Sequence, residues 1–187
     1  VDRPLRRAAR GDPAAHLRAR LRAGESSALA LELAARLGHT PAAQALGHEP
    51  QTPQSATELA PLLASLGREA AVRALLACSE ALDLEEAREP YARSVVNKIL
   101  DQVRAWLDDP SPRNLRALAD LDEDFLSWFV EGYWLAALLD CVTQPRFAQR
   151  LTHALETADQ NLGPQRACAA LSRLVPWLLQ NTSPADE

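Results

Sequence analysis

Side chains able to carry chemistry are sparse in this 187-residue chain, and their spacing decides what they can do. The four histidines, His16, His39, His48 and His153, fall in different segments with no H-x3-H pattern. The three cysteines, Cys78, Cys141 and Cys168, are widely separated with no C-x2-C pattern, so the spacings that close a zinc site are missing. His39 and His48 come nearest, flanking one short predicted helix, and packing within a turn is the expected role of His39. No nucleophile elbow, phosphate loop, HExxH or dinucleotide fingerprint occurs, and seven glycines are too few for a phosphate-cradling loop. The expectation is a protein that is not an enzyme and takes no metal and no cofactor.

The one unusual concentration is residues 125–134, where Phe125, Trp128, Phe129, Tyr133 and Trp134 gather in a chain only 5% aromatic. On a helix, Phe125, Trp128 or Phe129, and Gly132 share one face, while Ser127, Glu131, Trp134 and Leu138 share another. One reading is a core helix in which Gly132 permits a close crossing. The other exposes Trp128, Tyr133 or Trp134 as anchors, since aromatics dominate binding hot spots. Glu131 sharpens the choice, because a carboxylate in so apolar a helix must be paired, solvent-facing or neutralised. It either lines a groove with Trp134 and receives a partner's lysine or arginine, or pairs with an arginine of a neighbouring helix. The acidic stretches at residues 83–89 and 120–124, the second containing Asp122, Glu123 and Asp124, fall at predicted turns. There they either stabilise the next helix N-terminus or dock a basic partner.

The elements that must position these groups are helices. Alanine and leucine exceed a third of the chain, and proline at helix starts and glycine at helix ends punctuate it. Asp12-Pro13 starts a helix that Gly24 stops, Ser26 or Ser27 opens one ending at Gly38, and Thr40-Pro41 opens a third ending at Gly47. Residues 48–56 read as a linker. Ser55 and Glu58 have capping-box spacing, and a longer helix follows with Val72, Leu75, Leu76 and Ser79 along one face. From Pro90, the apolar positions Val95, Val96, Ile99, Val103, Trp106 and Leu107 mark an amphipathic helix. Ser111-Pro112 caps the next helix. The segment from Phe125 to Val142, apolar nearly all round, reads as a central buried helix. Further helices are predicted from Pro145 to about Asp159 and from Pro164 to about Gln180. The fold expected is all-α, about nine or ten helices stacked as antiparallel hairpins. Residues 1–48 read as a basic helix-turn-helix module, 55–182 as a larger helical domain and 183–187 as a frayed tail.

A hydrophobic share of 47% argues against disorder throughout. The net charge of −5 hides an asymmetry, since residues 1–24 carry seven arginines against Asp2 and Asp12 and the remainder is near −10. Those arginines are expected to coat a solvated face or to pair with acidic groups of the body. Without interleaved aromatic or amide residues they argue against a nucleic-acid arm. No apolar stretch reaches the roughly 18 residues of a membrane span, and the cysteines sit in apolar helical runs as reduced, buried groups. A cytoplasmic location is the expectation. Because the chain has no methionine, its natural start is expected to lie upstream.

Ala34, Ala35, Gly38, His39, Ala42, Leu46 and Gly47 spell AAxxGHxxAxxxLG. This resembles the helix-turn-helix core of Sel1-like repeats, relatives of the tetratricopeptide repeats, over about fourteen residues. The resemblance implies close helix approach through small residues and an adaptor that binds proteins. Ala8, Ala9, Gly11, Asp12 and Ala15 form a degenerate upstream echo, at an offset shorter than such repeats need, so at most one and a half units are present. The chain is also similar to small Ala/Arg-rich helical proteins of social soil bacteria, some of which sit near immunity proteins of toxin systems.

The function expected is therefore a bacterial, non-enzymatic protein-interaction module, of adaptor or immunity type. It would bind a protein partner, basic in the version that uses the acidic turns, through Trp128, Glu131, Tyr133, Trp134, Asp122, Glu123 and Asp124. The alternatives are a homodimeric scaffold and a helical bundle that binds a small molecule around Glu131, Tyr133 and Trp134. A DNA-binding regulator stands last.

Overall fold

The computed structural model describes residues 12–49, 51–82, 90–120, 132–144 and 146–180. Among these residues the chain is all-α, without a strand. The helices are α1 (Pro13–Arg22), α2 (Ala28–Arg36), α3 (Thr40–Leu46), α4 (Ala60–Ser65), α5 (Arg68–Ala81), α6 (Pro90–Asp108), α7 (Pro112–Ala119), α8 (Gly132–Thr143), α9 (Phe147–Leu162), α10 (Pro164–Leu171) and α11 (Val175–Gln180). Short 3-10 turns occupy Thr57–Leu59 and Ser172–Leu174.

The two 3-10 turns share a cause. Each begins four residues before a proline, Pro61 or Pro176, which has no N–H to give the carbonyl of Thr57 or Ser172 and whose ring crowds it. The backbone tightens there before the α-helix resumes. The segments TELAPLL and SRLVPWL therefore adopt the same course, and each buries its leucines at matching positions, Leu59 with Leu63 and Leu174 with Leu178.

The chain divides into two compact units, residues 1–54 with 171–187, and residues 55–170. In the first, the Asp12 carboxylate accepts from Ala14 N at 2.9 Å and starts α1, as the sequence leads one to expect. α3 packs against α1 and α2, and α11 packs against α2. Ala30, Ala34, Ala42 and Ala43 are fully buried, and their lack of side-chain bulk allows the backbones to approach. The Arg20 guanidinium donates to the carbonyl of Leu179 at 2.6 Å, tying α1 to the last turn of α11. Residues 171–180 thus group with the N-terminal helices, whereas the sequence assigns 171–182 to the larger domain.

In the second unit α8 packs on α5, α6, α7 and α9, and α5 also meets α4, α6 and α9. Leu75 and Cys78, Ile99 and Val103, Leu138 and Val142, and Leu151 and Leu155 fill the core. Each leucine buried in this way contributes roughly 1.5–3 kcal/mol. α6 buries Val96, Ile99, Val103, Trp106 and Leu107, the three-and-four spacing visible in its sequence. α9 begins at Phe147, two residues later than predicted, and ends at Leu162, three later, with Gly163 beyond it.

One predicted cap is replaced. The Ser55–Glu58 capping box does not start the helix at α4. The Asp159 carboxylate of α9 reaches across instead, accepting from Ala56 N at 2.9 Å, Thr57 N at 3.0 Å and Thr57 Oγ1 at 2.7 Å. A carboxylate takes three donors where a serine hydroxyl would take one or two, and it joins α9 to the start of the 3-10 turn.

Candidate functional site

Arginines close the ends of several helices. Arg18 donates to the carbonyl of Gln44 at 2.7 Å on α3, Arg20 to that of Leu179 on α11, and Arg166 to that of Ala81 on α5 at 3.5 Å. These carbonyls are among the last in each helix, where the i→i+4 ladder runs out and the negative end of the dipole lies. Arg18 and Arg20 thus donate to carbonyls, where the sequence suggests a solvated face or acidic partners for the N-terminal arginines.

The most developed case is the corner between α8 and α9. Arg68, at the start of α5, donates through Nη1 to Val142 O at 2.8 Å and through Nη2 to Gln144 O at 2.9 Å. The same guanidinium lies 5.5 Å from the ring centroid of Phe147, within cation–π range. Gln144 N donates to Asp140 O at 2.8 Å, and the Thr143 hydroxyl to Leu139 O at 2.9 Å. One side chain from 74 residues upstream thus fixes the end of α8 and the first residue of α9 together.

Outside this anchor lies an open cleft of about 420 Å³, lined by Gln144, Arg146, Gln149, Arg150 and His153. Arg146 is the N-cap of α9 and, having no acceptor, cannot cap it through its side chain. Arg146, Arg150 and His153 recur at four and three residues, so they share a helix face. Arg150 Nε stands 3.2 Å from Asp140 Oδ2, and His153 Nδ1 stands 3.7 Å from Glu156 Oε2. Both pairs are solvent-screened and leave most of the donors facing outward. The corner is therefore a turn anchored by Arg68 that presents guanidinium and carboxamide donors, suited to carboxylates and backbone carbonyls.

The residues singled out by sequence are distributed otherwise. Asp122, Glu123, Asp124, Trp128 and Glu131 lie outside the described residues. Tyr133 and Trp134 belong to the first turn of α8 by their backbone, and their side chains lie outside the described part of the structure. Sequence reasoning misses the corner residues because it weights aromatics and acids. The available signal is the run RFAQRLTH, with basic groups at 146, 150 and 153 just after a proline.

His39 is the N-cap of α3, its Nδ1 accepting from Ala42 N at 3.2 Å, and Thr40, the predicted start, is the first helical residue. The cysteines are free thiols in the folded chain. Burial pushes Cys78 up to about 12, with Asp159 and Cys168 adding to the shift. Burial likewise raises Cys141 to about 12, with Asp140 adding to it. Cys168 is raised to about 11 by burial, then by Asp159 and Glu58. All three are protonated near neutrality, when the thiolate is the nucleophile. Among the described residues no three His, Cys, Asp or Glu side chains gather as a metal site. No helix among them is long and apolar enough to cross a membrane.

No protein-family model matches this chain, and neither a curated protein nor a solved structure is detectably similar to it.

Proposed function

We propose that the chain is a non-enzymatic protein-interaction module, of adaptor or immunity type, and that the α8–α9 corner is one of its contact surfaces. The observation that carries this reading is the set of five polar side chains, three of them basic, around an open cleft whose backbone Arg68 holds in place. Small-molecule sites bury most of their ligand in a largely apolar concavity. An open cleft rimmed by polar side chains suits the side chains of a protein surface instead, and its donors select a partner segment rich in carboxylates. Groups held by an anchored backbone lower the ordering cost of binding.

Trp128, Glu131, Tyr133 and Trp134, with Asp122, Glu123 and Asp124, form a second proposed contact region, which would take a basic partner surface. Tyr133 and the corner stand at opposite ends of α8, separated by about 15 Å of helix. A partner spanning α8 would present acidic groups to one end and basic groups to the other.

The test is affinity capture from the native cell at low salt. The bait is the full chain beside two variants, Arg146→Glu with Gln149→Glu, and Glu131→Lys with Trp134→Ala, each checked by circular dichroism. The expected result is one defined protein that the folded corner variant fails to recover and that added salt releases. Recovery of nothing, or of the same proteins by both folded variants, overturns the reading.

A further inference from the structure

α3 is only seven residues long, too short to persist without its ends closed. Its C-terminal end is closed by backbone and arginine. Gly47 adopts a left-handed φ of 77°, Gly47 N donates to Gln44 O at 3.2 Å, His48 N to Ala43 O at 2.9 Å, and Arg18 to Gln44 O. This is a termination that no proton near neutral pH can disturb.

The other end differs. The Ala42 N–H is shared between the carbonyl of His39 at 3.0 Å and its Nδ1 at 3.2 Å. Serine, threonine, aspartate and asparagine are the usual residues here, and all accept at neutral and mildly acidic pH. Imidazole accepts only while neutral, with its proton on Nε2. Once protonated, Nδ1–H faces Ala42 N–H donor to donor, and a positive charge stands at the positive end of the helix dipole.

We propose that His39 is a proton-sensitive cap, holding the α2–α3 turn closed when neutral and releasing the start of α3 when protonated. The inference is independent of the binding surface proposed above. The half-buried ring has a pKa lowered from 6.5 by burial. A base whose folded pKa lies below its unfolded value binds protons more weakly when folded. Its contribution to stability is present above 6.5 and is lost as pH falls through 6.5 toward the lowered value. Of the elements packed on α3, α1 carries His16, Arg18, Arg20 and Arg22, and α2 carries Glu32 and Arg36. Glu32 pairs with Arg36 at 3.0 Å and reaches His48 Nδ1 at 3.3 Å, and among the described residues no ion pair includes His39. His48 is 56% exposed, so solvent screens its pair with Glu32.

The experiment is an NMR titration of the full chain, following the His39 ring and the Ala42 and Ala43 amides, with His39→Asn and His48→Gln beside it. The expected result is a His39 midpoint below 6.5, with Ala42 shifting in the same titration and its exchange protection falling several-fold on acidification. His39→Asn, which caps without titrating, should abolish that fall, and His48→Gln should leave it intact. A His39 midpoint at or above 6.5, an Ala42 amide indifferent to the titration, or a His39→Asn chain that loses protection like the parent would each overturn the proposal. Should a variant fail to fold, the titration of the parent chain decides alone.

Discussion

The turn between α2 and α3 and the turn between α8 and α9 both reverse a helix within a few residues, but they are held in opposite ways. In the first, the backbone bonds are local. Leu37 N donates to Leu33 O, Gly38 N to Ala35 O and His39 N to Ala34 O, while the His39 side chain caps α3. In the second, the carbonyls of Val142 and Gln144 are satisfied by Arg68, and the N-cap Arg146 offers no side-chain bond. A turn closed by its own residues has little left to offer a partner. A turn closed from elsewhere in the chain frees its own side chains to face outward, which is why the cleft lies at the second corner.

That contrast predicts that distant anchors carry more stability than local turn residues. The largest loss is expected for Asp159→Ala, which leaves Ala56 N, Thr57 N and Thr57 Oγ1 without their acceptor. Partly buried donors stranded in this way cost about 2–4 kcal/mol in total, read as a lower midpoint in urea unfolding with an unchanged slope. Arg68→Ala should follow at about 2–3 kcal/mol, from two lost carbonyl bonds and the contact with Phe147. Arg68→Lys should recover only part of this, because one ammonium cannot reproduce a two-nitrogen fork. If Arg68→Ala proves milder than any local turn substitution, the contrast fails.

The same contrast explains what can be read from sequence. α1, α2 and α3 are legible because Asp12-Pro13, Gly24, Gly38 and Gly47 act on their immediate neighbours. The periodicity of α6 is legible for the same reason, since its buried face follows from spacing alone. Ser55 misleads, because a capping box is a local pattern and the donors at the start of this segment are taken by Asp159, 103 residues from Ala56. The home of α11 is invisible as well, since nothing in residues 171–180 names Arg20 as a partner. Of the candidate site, the basic face of α9 can be found from the spacing of Arg146, Arg150 and His153. The cleft cannot, because its shape depends on where Arg68 arrives. Pro61 and Pro176 carry a further local signal, the 3-10 turn that each induces before it.

A smaller effect is expected at the local turn. Gly38 has a φ of 88°, where a β-carbon is disfavoured, and an added Cβ would meet nothing within 4 Å. Gly38→Ala should therefore incur only the conformational cost, about 1–2 kcal/mol, measured by the same unfolding experiment. A larger loss would mean that the turn is also held by packing, and would narrow the difference between the two corners.

The smallest effect belongs to the outward side chains of the second corner. Arg150 contributes one ion pair with the partly buried Asp140, itself remaining exposed, and Gln149 is exposed on the helix surface. Replacing both with alanine should change stability by no more than about 0.5 kcal/mol. If these side chains form a contact surface, the same double variant should nonetheless weaken partner capture strongly, and Arg68→Lys should weaken it less than it weakens the fold. A loss of stability near that of Arg68→Ala would show that Gln149 and Arg150 belong to the scaffold. The division between an anchor that holds the corner and a face that is free to bind would then be lost.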